Sequence, residues 1–208
     1  MNRRFRALRL EDLDRLPAGC DGCMFWESPL LAERRCGSAR DAEAQGEWYR
    51  RVTQEWGDCG RVALEDDEIL GFVKYAPSGY FPQARTFAAA PTDPEVPLIA
   101  CLHVAPEARN LGLGTVLLRA ALRDLTQRGE RKVEAFALAR RPESFEEAPM
   151  PGIEFLLRNG FTVSRPDPLY PLLQLELRTL VTWAENLEAV LESLKLPARV
   201  PERVPAPW

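Results

Sequence analysis

Leu98-Ile99-Ala100-Cys101-Leu102-His103-Val104 runs through Ala105-Pro106-Glu107-Ala108 into Arg109-Asn110-Leu111-Gly112-Leu113-Gly114-Thr115, and the fold is decided there. The first seven residues are almost wholly apolar, as in a central strand buried on both faces of a sheet. Beyond the glycines, Val116, Leu117, Ala120, Leu122 and Leu125 recur at helical spacing, which predicts a helix from Thr115 to Arg128 closed by Gly129. A helix N-terminus offers unpaired main-chain N–H groups and a partial positive charge. Gly112 and Gly114 carry no Cβ, so the backbone is open to close approach. The N–H groups from Leu111 to Thr115 can then converge as a nest for a pyrophosphate. The plainer alternative is a strand-to-helix turn that happens to hold two glycines; the buried strand, the Pro-Glu-x-Arg lead-in and the strong helix weigh against it. The loop is not a dinucleotide fingerprint, because Leu117 stands where the third glycine belongs, and no Gly-Lys-[Ser/Thr] makes it a P-loop.

Outward from this unit the chain alternates strand-like and helical stretches. Phe5 to Leu10 reads as a short strand and Glu11 to Leu16 as a helical turn or two. Pro17 to Gly37 is irregular and holds Cys20, Cys23, Cys36 and the cluster Met24-Phe25-Trp26-Glu27. Ser38 and Asp41 suit the start of a helix that reaches about Glu55 and is stopped by Gly57 and Gly60. Arg61 to Glu65 and Ile69 to Tyr75 form a hairpin around Asp66-Asp67-Glu68. Ala76 to Val96 is a proline-containing loop, and Lys132 to Leu138 is the next strand. After the loop Arg140 to Gly152 comes a short helix, Ile153 to Arg158, closed by Asn159-Gly160. Phe161 to Ser164 and Tyr170 to Leu177 are the last strands. Thr182 to Leu194 is amphipathic, and Pro197 to Trp208 reads as an extended tail. The expected organisation is α/β of the α+β kind. Residues 1–178 form the main domain, 179–196 a C-terminal helix and 197–208 a proline-rich tail.

With 208 residues, 46% hydrophobic and 28% charged, the composition is that of a globular domain. The net charge of −4 speaks against a general nucleic-acid binder. No run of about 18 apolar residues predicts a membrane span. The basic start, Met1-Asn2-Arg3-Arg4, lacks a following apolar run, so a cytoplasmic location is expected.

At the loop the chain resembles the GNAT superfamily of N-acetyltransferases. Val104-Ala105-Pro106-Glu107-Ala108-Arg109 matches the lead-in of that family's main motif, [Arg/Gln]-x-x-Gly-x-[Gly/Ala], and Gly112 and Gly114 fall in place. Phe155 with Asn159-Gly160-Phe161 resembles a second family mark. The Cys20-x-x-Cys23-x-Phe25-Trp26-Glu27 segment, with Trp48 and Trp56 to Gly60, is similar to a poorly characterised bacterial branch. The resemblance implies a mixed, strongly twisted sheet of about six to seven strands whose fourth and fifth strands splay. Acetyl-CoA would lie in that V, its pyrophosphate on the loop Arg109, Asn110, Leu111, Gly112, Leu113, Gly114, Thr115. Its pantetheine would pair with Leu102, His103 and Val104.

What the resemblance implies about catalysis is transfer of an acyl group, acetyl first, to a primary amine of a small molecule or a protein. The family takes acids or histidines from the strand face read here as Leu98, Ala100 and Leu102, all apolar, with His103 on the opposite face. The family's tyrosine falls at Leu156. The catalytic candidates are then Glu134, a carboxylate inside the strand between Val133 and Ala135, and Glu27. Trp26, Glu27, Tyr80 and Phe81 are candidates for the acceptor side, whereas Tyr170 reads as packing. The alternative is a module that binds acyl-CoA, or senses metal or thiol, without turnover.

Cys20-x-x-Cys23 is half a zinc site, with Cys36 and Cys59 as available partners. No second knuckle completes it, so thiols packed among Phe25, Trp26 and Trp56 are the preferred reading and no metal is assigned. The partners expected are acyl-CoA and an amine, with no nucleic acid and no membrane. The C-terminal extension could cover its own sheet or build a homodimer.

Overall fold

The computed structural model describes residues 3–17, 19–28, 41–91, 93–140 and 150–177. The expected C-terminal helix and tail, and Cys36, lie outside these. The strands are β1 (Arg3–Ala7), β2 (Gly60–Glu65), β3 (Glu68–Pro77), β4 (Pro97–Val104), β5 (Lys132–Phe136), β6 (Thr162–Arg165) and β7 (Leu172–Glu176). The helices are α1 (Ala42–Glu55), α2 (Leu113–Gln127) and α3 (Ile153–Arg158). The seven strands make one mixed sheet in the order β1-β2-β3-β4-β5-β7-β6. Among the named strands only β4 and β5 pair in parallel, joined through α2. Among the described residues no helix is long and apolar enough to cross a membrane.

Local chemistry explains the elements. Asp66 and Asp67 both take positive φ, 46° and 72°, as the two central residues of a tight hairpin turn require. Asp41 caps α1, its side chain accepting from the Ala44 amide at 2.9 Å. The helix at the glycine loop begins at Leu113, two residues before the periodicity starts, because the loop's own turn leads straight into it. The stretch from Ala76 to Val96 holds two short 3₁₀ turns, Ser78–Tyr80 and Pro82–Thr86, the second opened by its proline.

Each face of the sheet carries a core. One side buries Phe25, Trp26, Trp48, Phe72, Phe81, Phe87, Leu98, Ala100 and Phe136 beneath α1 and the cysteine segment. The other buries Val73, Tyr75, Ile99, Val133, Ala135 and Leu173 against Leu117, Leu118 and Leu125 of α2 and Leu156 of α3. On the α2 side Asp124 is almost buried and is held by the Arg61 guanidinium at 2.6 Å and by the Tyr75 hydroxyl. A buried carboxylate needs such partners to stay charged.

Two irregularities of β4 shape the region around the glycine loop. Lys74 pairs with Cys101 but Tyr75 pairs with Ile99, so Ala100 is an extra residue, a bulge. The bulge breaks the alternation read from the sequence. Leu98 and Ala100 do share the α1 side, but Cys101 joins them and Leu102 turns to the α2 side. His103, expected on the opposite face, comes to the α1 side and stacks on Phe72, ring centroids 6.1 Å apart. The second irregularity is that β4 and β5 share only two rungs, Leu98 with Glu134 and Ile99 with Ala135. Past these, β4 stays with β3, and Phe136 of β5 stays with Leu172 of β7. The strands separate into a wedge that opens toward the glycine loop.

Candidate acyl-CoA site

The loop between β4 and α2 is built from its backbone. Pro106–Ala108 makes one 3₁₀ turn, and Arg109 Nε donates to the Val104 carbonyl at 3.0 Å, tying the loop to the strand end. Asn110 and Gly112 both take positive φ, 62° and 78°, with Leu111 between them exposed to solvent. This alternation turns successive N–H groups toward one side. Asparagine tolerates the left-handed region and glycine occupies it freely. Gly112 is the N-cap of α2, no side chain caps the helix, and the first helical bond runs from Val116 N to Gly112 O. Among the described residues the amides of Leu113, Gly114 and Thr115 therefore have no main-chain acceptor. A Cβ on Gly112 would meet nothing within 4 Å, so the surface over these amides is open. A Cβ on Gly114 would lie 3.7 Å from Phe155 and Val104, which shows α3 packed onto the start of α2.

Among the described residues no strand pairs with the β5-facing edge of β4 beyond Ile99. A chain of amides laid there would find the main-chain groups that a strand would otherwise use. Bare amides at a helix N-terminus suit a pyrophosphate, and an unpaired strand edge suits pantetheine; the residues present fit acyl-CoA.

The model of the acetyltransferase (GNAT) family matches residues 25–144, more than half of the chain. The chain belongs to the GNAT acetyltransferase family. Solved structures carry the same fold. The N-acetyltransferase of Staphylococcus aureus Mu50 aligns with 85% of this chain and 99% of its own, at 15% identity and TM-score 0.56. The yncA protein of Salmonella typhimurium, solved with its cofactor acetyl-CoA, aligns over 84% and 94%, at 18% identity and TM-score 0.56. The loading GNATL domain of CurA from Lyngbya majuscula aligns over 86% and 100%, at 19% identity and TM-score 0.54. A search of curated proteins found no sequence relative.

In this GNAT chain Glu134 sits on β5 at the closed end of the wedge, 3% exposed, on the α1 side with Phe136. Its Oε1 lies 3.3 Å from Lys132 Nζ, and its Oε2 has no partner among the described residues. Glu27 is buried and bonded to the ammonium of Lys74, with Oε2 likewise unpartnered there. Burial works most strongly against the Lys74 charge, but Glu27, Cys101 and Cys23 together outweigh it and the lysine pKa is raised. Lys74 also lies 5.1 Å from the centre of the Trp48 ring.

The aromatic candidates separate. Trp26 is fully buried and stacks on Phe136 at 5.9 Å. Phe81 is also fully buried, against Trp26 and Trp48. Tyr80 turns the other way: its hydroxyl donates to Glu55 at 2.7 Å and its ring lies beneath Arg51. Tyr170 packs edge-on to Phe87. Leu156 is buried in the α2-side core.

Sequence reasoning missed Lys74, Gln83 and Phe136. Lys74 had a signal, being the one charge in Ile69-Leu70-Gly71-Phe72-Val73-Lys74-Tyr75-Ala76. Gln83, buried with its main-chain N–H donating to the Trp26 carbonyl, had none.

Cys20, Cys23, Cys59 and Cys101 are all buried. Gln45 braces the first two, its Nε2 donating to the carbonyls of Cys20 and Cys23 at 3.0 and 3.1 Å. Among the described residues no three ligands group as a metal site would need. Burial pushes the Cys59 thiol up to about 12, so it stays protonated at neutral pH.

His103 is 4% exposed; burial first, and Arg109 second, lower its pKa to about 4. The folded imidazole is neutral at pH 7. Between pH 6.5 and 4 the unfolded chain takes up a proton that the folded one refuses, so stability falls as the pH drops through that window. We expect urea unfolding of the wild type to lose stability there and His103→Gln to lack that part of the slope. Equal slopes would contradict the assignment.

Proposed function

We propose that this GNAT acetyltransferase moves an acetyl group from acetyl-CoA to a primary amine, with Glu134 taking the amine's proton. The observation that carries the proposal is the arrangement around the wedge: an open anion nest where β4 meets α2, an unpaired strand edge leading inward, and a buried carboxylate with a vacant oxygen at the closed end. Acetyl-CoA, when bound, supplies an activated acyl thioester. The amides of Leu113 to Thr115 hold its phosphates, and Arg109 fixes the loop that presents them. The β4 edge at Leu102 to Val104 would hold the pantetheine and so orient the thioester toward the amine.

Glu134 receives the ammonium proton directly or through one water, leaving a neutral nucleophile. Glu27, paired with the Lys74 ammonium in the interior, is assigned to bracing the acceptor side from beneath rather than to proton transfer, and Trp26 and Phe81 to shaping it. Tyr80 has its hydroxyl engaged by Glu55 and keeps only a peripheral role. Leu156 cannot protonate the departing thiolate, so water does. Thiol release from acetyl-CoA, followed over a panel of small amines, polyamines and lysine peptides, tests the reaction. Amine-dependent release is expected; tight CoA binding with no release over any amine would overturn it in favour of a binding module.

A further inference from the structure

Where the wedge closes, its α1 side is walled by two stacked aromatic rings. Ile99 and Ala135 form the last rung between β4 and β5, so Ala100 and Phe136 are the first residues beyond it. Ala100 offers only a methyl group. Phe136 offers a ring that is 1% exposed and cannot yield, because Trp26 stacks on it at 5.9 Å and 25° while Phe87 presses on it at 4.7 Å. Trp26 is fully buried and is backed by Phe25 at 5.1 Å and Phe81 at 6.4 Å. Interiors packed in this way do not open for an added methylene without displacing their neighbours.

The geometry of the strand says what meets this wall. From Val104, at the glycine loop, back to Ala100 is four residues, or about 13 Å at strand spacing. An arm of two amide units laid along that edge brings a thioester to the end of the wedge. A cavity that Trp26 lines with Cys23, Glu27, Lys74 and Cys101 holds about 10 Å³, room for one water-sized group and not for an alkyl chain.

We infer that Phe136, held by Trp26, limits the acyl group this protein accepts to acetyl. The inference rests on the acyl-CoA reading of the loop and adds the length limit to it. It gives the buried Trp26 a task at the donor end as well as on the acceptor side.

The test is calorimetric binding of CoA, acetyl-CoA, butyryl-CoA and hexanoyl-CoA to the full chain and to Phe136→Leu, Phe136→Ala and Trp26→Phe. The wild type is expected to bind butyryl-CoA at least about tenfold more weakly than acetyl-CoA, and hexanoyl-CoA more weakly still. In the Phe136 variants the butyryl penalty should shrink to less than about threefold, with acetyl-CoA affinity kept. Thermal melts identify any variant that fails to fold. Should Phe136→Ala unfold, Phe136→Leu and the milder Trp26→Phe carry the comparison, and the wild-type series decides by itself. Equal affinity of the wild type for all three thioesters overturns the inference while leaving the loop reading in place. So does an unchanged penalty in a folded Phe136 variant. Loss of binding to every form of CoA would remove the loop reading and the inference together.

Discussion

Replacing Gly112 by Asp lowers the affinity for CoA by about two orders of magnitude or more while the protein stays folded. Gly112 lies at φ 78°, and a Cβ there meets nothing within 4 Å, so the side chain enters open space. Aspartate tolerates the left-handed region at modest cost. The damage is electrostatic. A carboxylate at the N-cap of α2 competes for the amides that serve the phosphates, and it repels them. At about 4 Å and an effective dielectric near 20, one such pair of charges costs about 4 kcal/mol. Helix N-termini favour a negative charge, so α2 itself is not weakened. Calorimetry is expected to show CoA binding lost, with a melting temperature unchanged or raised. Gly112→Asn, neutral and equally at ease at positive φ, should fall in between. Affinity unchanged by the aspartate would mean that the phosphates bind elsewhere.

The second large effect is expected at Glu134. Glu134→Gln keeps the shape of the side chain and removes its ability to take a proton. Among the described residues its side chain bonds to Lys132 Nζ, on a lysine 31% exposed that can turn to solvent, so the fold survives. We expect kcat to fall by about 10²- to 10³-fold, the range for a lost general base, with the KM for acetyl-CoA unchanged. A fall in acetyl-CoA affinity with normal kcat would make Glu134 structural. Normal activity would move the base elsewhere, and His103 would be the next residue to test, because the bulge brings it to the α1 side of β4.

The contrast between these two residues shows what a sequence can say. The glycine loop was legible because its chemistry is main-chain chemistry: two glycines between a buried strand and an amphipathic helix have few other uses. The succession of strands and helices around it, and a mixed sheet with splayed fourth and fifth strands, followed from periodicity and the family resemblance. The face of β4 was not legible. Alternation predicts facing only while the ladder is regular, and one extra residue at Ala100 reverses everything after it. His103 and Leu102 exchanged sides for that reason. The aromatic cluster on the α1 side was only partly legible. Phe25 with Trp26, Phe81 with Phe87, and Phe136 come from three separate segments, and nothing local says that they meet. Glu27 and Lys74 could each be seen as unusual, one after an aromatic pair and one within an apolar strand. Only the tertiary fold, across 47 positions, makes them partners.

The account rests on CoA phosphates lying on the amides that open α2. A nitrogen-15 correlation spectrum recorded while CoA is titrated into the protein tests this directly. The amide signals of Gly112, Leu113, Gly114 and Thr115 should shift most, with those of Leu102 to Val104 shifting next as the pantetheine lies along β4. Saturable CoA binding that leaves the Gly112 to Thr115 amides unmoved would contradict it.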